Sequence, residues 1–246
     1  MHRFYAPDIE QDNCLPEEES CHCTRVLRLT EGESIEVVDG KGNLFVCRIA
    51  EAGKKGCSVE ICEKSTEPIP EAGNITLAIA PTKNIDRIEW LAEKVTEMGI
   101  ARIIPILCRY SERKQLKTDR LRKILVSAMK QSLKTRLPEL DELTPIGDVL
   151  SADFKGQKFI AYCDKEIERR EFVEEYVPGK NALVLIGPEG DFSREEIETA
   201  IANGFIPVSL GKSRLRTETA GLFACAAIHT INQLHNDRST NIIETK

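Results

Sequence analysis

Two textures of hydrophobic patterning divide the chain. Up to about residue 66, apolar and polar positions alternate over short runs. These are Ser34-Ile35-Glu36-Val37-Val38, then Asn43-Leu44-Phe45-Val46-Cys47-Arg48-Ile49, then Cys57-Ser58-Val59-Glu60-Ile61-Cys62. A period of two places alternate side chains on one face and predicts half-buried strands. Asp39-Gly40-Lys41-Gly42 supplies turn residues between the first two runs and predicts a hairpin. Residues 1–66 are therefore expected to form a small β-barrel. Residues 65–73, with two prolines, a glycine and two glutamates, read as a linker.

From Asn74 the period changes. Short apolar runs at 75–80, 103–107, 159–163, 182–186 and 206–210 predict strands, and helical spacings lie between them. Ile85, Ile88, Leu91, Ala92, Val95 and Met98 form one such stripe, closed by Gly99. Leu121, Ile124, Leu125, Ala128 and Met129 form another. Ser193 and Glu196 have capping-box spacing ahead of Ile197, Ala200 and Ile201, and Gly204 supplies a stop. Pro105 suggests that its strand is an edge or carries a bulge. The helix at 218–234 is apolar on more than one face, which requires deep burial or a second subunit. Beyond His235 the chain reads as a polar tail. Alternation of this kind predicts an α/β domain over 74–238 with a mostly parallel sheet covered by helices.

Composition changes this picture little. A chain of 246 residues, 41% hydrophobic and 30% charged, can bury its cores without disulfides. No run approaches the roughly 18 apolar residues of a membrane span. The first residues lack the apolar segment of a secretory signal, so a cytoplasmic location is expected. The nine cysteines are odd in number and scattered. Their only cluster, Cys14 with Cys21-His22-Cys23, lacks zinc-site spacing, so reduced thiols and no metal are expected.

Charge is more informative. The net charge is −6, yet residues 109–136 hold ten Lys or Arg against Glu112 and Asp119, a local excess of +8. Arg109, Arg113, Lys114, Lys117 and Lys134 in that segment read either as a track for nucleic-acid phosphates or as a solvated helix face. Arg3, Arg25 and Arg28 extend a possible RNA footprint into the small domain.

Two glycine-marked loops leave the strands at 182–186 and 206–210. Loops at the carboxyl ends of parallel strands are where α/β proteins hold ligands; the competing reading is two ordinary turns. In the first, Gly187-Pro188-Glu189-Gly190-Asp191, Pro188 fixes its own φ. Gly190 provides either a positive φ or room for close approach. The pattern is neither a dinucleotide fingerprint nor a Walker loop. Its backbone suits a nucleotide-like ligand held without phosphate-specific chemistry.

Residues 186–220 closely resemble the signature of the SPOUT-class 16S rRNA uridine-N3 methyltransferases. The resemblance extends to Arg3-Phe4-Tyr5, Arg25-Val26-Leu27-Arg28, Lys94-Val95-Thr96-Glu97-Met98-Gly99 and Gln131-Ser132 followed by Leu137-Pro138. Asp191 stands where that family usually has a second glycine, Lys134 where arginine is more usual, and Ser213-Arg214 vary the run before Leu215. The resemblance implies a trefoil-knotted SPOUT domain after a PUA-like β-barrel, and a homodimer with the last helix at its interface. It implies S-adenosylmethionine held bent by Leu185, Ile186, Gly187, Pro188, Glu189, Gly190, Leu210, Gly211, Leu215, Arg216 and Thr217. The implied reaction methylates N3 of a uridine in the 16S rRNA of the small ribosomal subunit.

That reaction needs loss of the N3 proton and a cation near the charge left on O2 and O4. Arg216 is the preferred cation. Glu218 either takes the proton or orients Arg216, and Glu189 is a second carboxylate. Alternatively Arg216 and Glu218 form a pair that only braces the loop. Three further readings stand beside this one. They are a tRNA-modifying SPOUT enzyme, a non-catalytic RNA-binding assembly factor, and an enzyme of another nucleotide with Asp191 at a metal site.

Overall fold

The computed structural model describes residues 1–53, 56–68, 73–163 and 168–243, with residues 236–243 described by backbone alone. Contacts group the chain into two compact units, Met1–Ile69 with Leu125–Leu137, and Pro70–Ile124 with Pro138–Lys246. The linker expected at 65–73 is partly replaced by strand, which runs through Thr66; residues 69–72 lie outside the described residues.

The first unit contains β1 (Arg3–Tyr5), α1 (Ile9–Asp12), β2 (Cys14–Leu15), α2 (Glu17–Cys21), a π-helical turn at His22–Val26, β3 (Ser34–Val38), β4 (Asn43–Gly53) and β5 (Gly56–Thr66). They build one five-stranded sheet in the order β1-β3-β4-β5-β2. The expected hairpin is present, with Ile35 opposite Cys47 and Val37 opposite Phe45. The alternation in the sequence becomes a core of Phe4, Ile35, Val37, Phe45, Cys47, Ile49 and Val59. Asp39 organises the turn by accepting from the backbone N–H of Lys41 (2.7 Å) and of Asn43 (3.1 Å).

The chain continues with β6 (Ile75–Ile79), α3 (Ile85–Glu97), β7 (Arg102–Leu107), α4 (Thr118–Gln131), which belongs to the second unit up to Ile124 and to the first from Leu125, β8 (Glu139–Leu140), β9 (Thr144–Pro145), α5 (Ile146–Ser151), β10 (Gln157–Ala161) and β11 (Arg170–Glu171). It continues with α6 (Phe172–Glu175), β12 (Ala182–Ile186), α7 (Arg194–Ala202), β13 (Ile206–Ser209) and α8 (Thr217–Ile243). The sheet order is β11-β13-β10-β12-β6-β7-β8, with β9 also on β7, and every pairing is parallel. β6 and β12 are buried at all five positions, as a sheet covered on both faces requires. Within β6, Ala78 joins the core formed with Val149 of α5 and Ile197 of α7. Leu77 and Ile79 turn the other way. There a Cβ added to Gly221 of α8 would lie 3.0 Å from Ile79 and 3.1 Å from Leu91 of α3. Glycine at 221 thus lets α8 settle directly on the sheet.

Two expectations are corrected by this topology. Pro105 is on neither an edge strand nor a recorded bulge: β7 has β6 on one side and β8 and β9 on the other. β8 pairs with residues 102–103 and β9 with residues 106–107, so Pro105 falls in the gap between two short ladders, where a missing N–H breaks neither. The last helix also continues through the supposed polar tail, as far as Ile243.

Candidate active site

Parallel registry aligns Ile186 of β12, Ala161 of β10 and Val208 of β13 in one row. The chain therefore leaves all three strands at the same edge of the sheet. Between the loops that follow lies a cavity of about 440 Å³, within the usual size of a small-ligand pocket. Ile186, Gly187, Pro188, Glu189, Leu210, Gly211, Leu215, Arg216 and Thr217 line it, bringing together both glycine loops. Leu185 and Gly190, expected beside them, do not. Leu185 is fully buried in the sheet, and Gly190 faces Tyr110.

The first loop is closed by its own groups. The Asp191 N–H donates to the Pro188 carbonyl (2.9 Å). The Asp191 carboxylate accepts from the N–H of Phe192 (2.8 Å) and of Cys163 at the end of β10 (2.7 Å). The left-handed residue is Asp191, with φ 66°, and not Gly190, which corrects one reading of Gly190. Asp tolerates this conformation because its short polar side chain bonds locally. A Cβ at Gly190 would sit 3.1 Å from the Tyr110 Cβ, and one at Gly187 3.1 Å from the Phe192 ring. These two glycines supply space. The capping box is complete: the Ser193 N–H donates to Glu196 (2.8 Å) and the Glu196 N–H to the Ser193 hydroxyl (3.3 Å). Glu189 accepts from the backbone N–H of Lys83 (3.0 Å).

The second loop is held loosely. Ser209 accepts from the Gly211 N–H (3.2 Å), and Gly211 has φ 105° with no atom within 4 Å of an added Cβ. Arg214 and Arg216 are exposed and have no side-chain hydrogen bond or ion pair among the described residues. Glu218 has a different partner from the one expected. Its Oε1 lies 3.8 Å from Nε of Arg87 on α3, and its side chain is only 11% exposed. Its Oε2 is buried without a hydrogen-bond partner. Arg216 and Glu218 therefore do not brace one another; Glu218 holds Arg87, which also lines the cavity.

Among the lining residues not singled out as site residues from the sequence are Arg87, Ala161, Tyr162, Cys163 and Arg169. Arg169 donates to the Tyr162 carbonyl and lies over its ring, 5.6 Å from the centroid. The end of β10 carries no glycine to mark it. Only the sheet order, with β10 between β12 and β13, brings Tyr162 and Cys163 to the floor.

The basic residues separate into two groups. Arg3 is a brace: its Nε and Nη2 donate to Glu36 at 2.9 and 2.7 Å, and its side chain is 9% exposed. That geometry gives Arg3 a structural role within the small sheet. Arg109 pairs with Glu195 (2.6 Å), and Arg113 donates to the carbonyls of Thr82 (3.0 Å) and Lys83 (2.7 Å). Arg120 pairs with Glu89, Lys130 with Glu19, and Arg136 donates to the carbonyls of Lys41 and Glu67. Lys114 and Lys117 are exposed and Lys134 half-buried, all without side-chain partners among the described residues; Arg25 and Arg28 are likewise exposed. Of the ten cations, Arg109, Arg120 and Lys130 thus have an acidic partner outside the segment.

Comparison with known proteins agrees with this anatomy. A family profile described as an RNA methyltransferase domain matches residues 70–229, and one described as an RNA methyltransferase PUA domain matches residues 15–62. The fold superposes on a probable rRNA-methyltransferase from Porphyromonas gingivalis with a TM-score of 0.90 and 44% identity, over 96% of this chain and 100% of that one. It superposes on the ribosomal RNA small subunit methyltransferase E of Neisseria gonorrhoeae bound to S-adenosyl methionine with a TM-score of 0.81 and 28% identity, over 94% and 98% of the two chains. A ribosomal RNA small subunit methyltransferase E from a Synechocystis strain is 30% identical over 84% of this chain and 69% of its own length. With the catalytic-domain profile covering most of its length, the chain belongs to the RNA methyltransferase family.

Proposed function

We propose that the protein transfers a methyl group from S-adenosylmethionine to N3 of a uridine in 16S rRNA, on an assembled or nearly assembled small subunit. The observation that carries this is the 440 Å³ cavity, which both glycine loops wall and Ala161, Tyr162 and Cys163 floor. It fits a nucleoside-sized ligand, with apolar sides from Ile186, Pro188, Leu210 and Leu215. The cofactor bound in the Neisseria relative supports the same use of the pocket here. Asp191 has a structural use in the loop, since each of its oxygens accepts a backbone N–H group.

When bound, the cofactor supplies a methyl group already activated by the sulfonium charge. The protein's work is to align a uracil with it and to manage one proton. Arg216, which like Arg214 lines the cavity without a side-chain partner among the described residues, offsets the charge that collects on O2 and O4. Glu189 is exposed at the rim, held by the Lys83 N–H, and is the better-placed proton acceptor. Glu218 is committed to Arg87 and acts by positioning it. α8 buries Ala224, Cys225 and Ile228 but leaves Phe223 and Leu234 exposed, which supports a homodimer built on this helix. No helix among the described residues is long and apolar enough to cross a membrane, and we place the protein in the cytoplasm with its rRNA.

The test is mass-spectrometric mapping of methylated uridines in small-subunit rRNA from cells with and without the protein. It is paired with calorimetry of S-adenosylmethionine binding. One ligand per chain and loss of a single N3-methyluridine are expected; a lost methyl group in tRNA instead would favour the tRNA-modifying reading.

A further inference from the structure

A second depression lies beside the first glycine loop. Lys83, Glu112, Arg113, Lys114 and Gln115 line an open groove of about 500 Å³. It shares a piece of backbone with the cofactor pocket. The Lys83 N–H holds Glu189 of the pocket wall (3.0 Å), while Arg113 grips the carbonyls of Thr82 and Lys83 from the groove side. Further along the segment that carries Arg113, Tyr110 covers Gly190 and the Arg109 N–H donates to Glu196 (2.8 Å). The groove is therefore a fixed neighbour of the pocket.

Its charges are arranged unequally. The Arg113 guanidinium is turned onto backbone oxygens. Lys114 is exposed without a partner among the described residues. The Lys83 ammonium, 78% exposed, meets Glu112, 53% exposed, at 2.9 Å. An ion pair so open to water contributes little to stability. What it does is neutralise a cation that stands one residue's backbone away from Glu189.

We infer that this groove is the entry track for the single RNA strand that delivers the target base, with Lys83 and Lys114 as phosphate ligands and Glu112 as a counter-ion that a phosphate displaces from Lys83. The inference rests on the RNA methyltransferase reading above and adds the residues that receive the substrate backbone. A phosphate offers Lys83 a doubly useful exchange: it replaces one anionic partner by another and releases condensed counter-ions from the RNA. Arg113 keeps the groove in shape while this happens, since its own donors stay on the backbone. Gln115, exposed on the same lip, offers both donor and acceptor groups to a ribose hydroxyl.

Because Glu112 is postulated to act through Lys83, the two must be coupled. The experiment measures binding of a fluorescent single-stranded oligoribonucleotide at several salt concentrations for the full chain, Lys83→Ala, Glu112→Gln and the double variant. S-adenosylmethionine affinity is measured in parallel by calorimetry. Lys83→Ala is expected to weaken RNA binding and to reduce the log–log salt slope by about 0.7, the value for one phosphate contact on a single strand. Glu112→Gln is expected to tighten binding roughly two- to fivefold, the range for one exposed charge pair. That gain should vanish in the Lys83→Ala background, and cofactor affinity should not change in any variant. An unchanged slope in Lys83→Ala overturns the inference, as does a Glu112→Gln gain that survives without Lys83, because Glu112 would then act only as diffuse negative charge. Methyl transfer to small-subunit rRNA by the unaltered protein is assayed alongside. Its failure would overturn the parent reading, whereas RNA binding with independent variants would overturn the groove alone.

Discussion

The loop after β12 and the loop after β13 wall the same cavity, yet they are built on different terms. In the first, Asp191 ties three backbone groups together, a capping box closes the exit, and Phe192 is buried under Gly187. In the second, Ser209 is the nearby side-chain anchor, Gly211 turns through empty space, and Arg214 and Arg216 extend without partners, all among the described residues. The glycines follow the same division. Gly187 and Gly190 have ordinary backbone angles and are needed because a neighbour is close; Gly211 has no close neighbour and is needed for its positive φ. A wall finished before ligand arrives fixes position. A loop with unsatisfied donors and cations is where ligand contacts can still be made, and therefore where chemistry is placed.

The sharpest way to break this comparison is Arg216→Ala. Single-turnover methyl transfer at saturating cofactor should fall by at least ~100-fold, the scale for one lost transition-state donor. A near-normal rate would make the second loop as structural as the first. Next comes Gly190→Val, which drives a branched side chain into Tyr110. Overpacking of about 2 kcal/mol should weaken cofactor binding ~30-fold, and adding Tyr110→Ala should restore part of it. If the double variant is no better than the single one, space is not what Gly190 provides.

Asp191→Ala removes two accepted hydrogen bonds and leaves a left-handed alanine. A loss of about 1.5 kcal/mol, or roughly tenfold in cofactor affinity, is expected, with Asp191→Gly milder because glycine accepts the backbone angle. Gly211→Ala should cost about 1 kcal/mol from its φ alone, and no truncation of a neighbour should rescue it. The smallest effect concerns Cys163, which is exposed and lines the cavity. Cofactor should slow its alkylation several-fold without changing that of exposed Cys62. Burial pushes the Cys23 and Cys225 thiols up to about 12, and Cys47 up to about 11. At neutral pH these three stay protonated and should label only on unfolding, and raising pH toward those values should be what first exposes their thiolates.

What the sequence discloses in this protein is what local periodicity can encode. The Ile35/Val37 alternation, the Ile88–Leu91–Val95 stripe and the Ser193–Glu196 box each depend on neighbours within a turn or a hairpin, and each stands where the pattern puts it. β8, β9 and β11 have two residues each, too short for any period to register. The side-chain partners that the sequence does not disclose have one cause as well. Glu218 faces Arg87, Arg3 faces Glu36, and Arg113 faces the backbone of residues 82–83, all across distances that only the tertiary fold sets. That both glycine loops end strands was legible, but which glycine needs its conformation and which needs its space depends on Tyr110 and Phe192.

The margins of the large sheet carry a consequence for survival at high concentration. Its central strands, Ile-Thr-Leu-Ala-Ile and Ala-Leu-Val-Leu-Ile, are the kind of uncharged β-formers that stack into fibrils when a sheet edge is offered to them. The edges offer almost nothing. One ends in Arg170–Glu171, charged at both positions; the other is split into Glu139–Leu140 and Thr144–Pro145, two residues each, the second closed by a proline. A passing strand finds no run of free N–H and C=O groups long enough to extend. The fold thus keeps its most aggregation-prone segments in the middle of a template that cannot be copied outward.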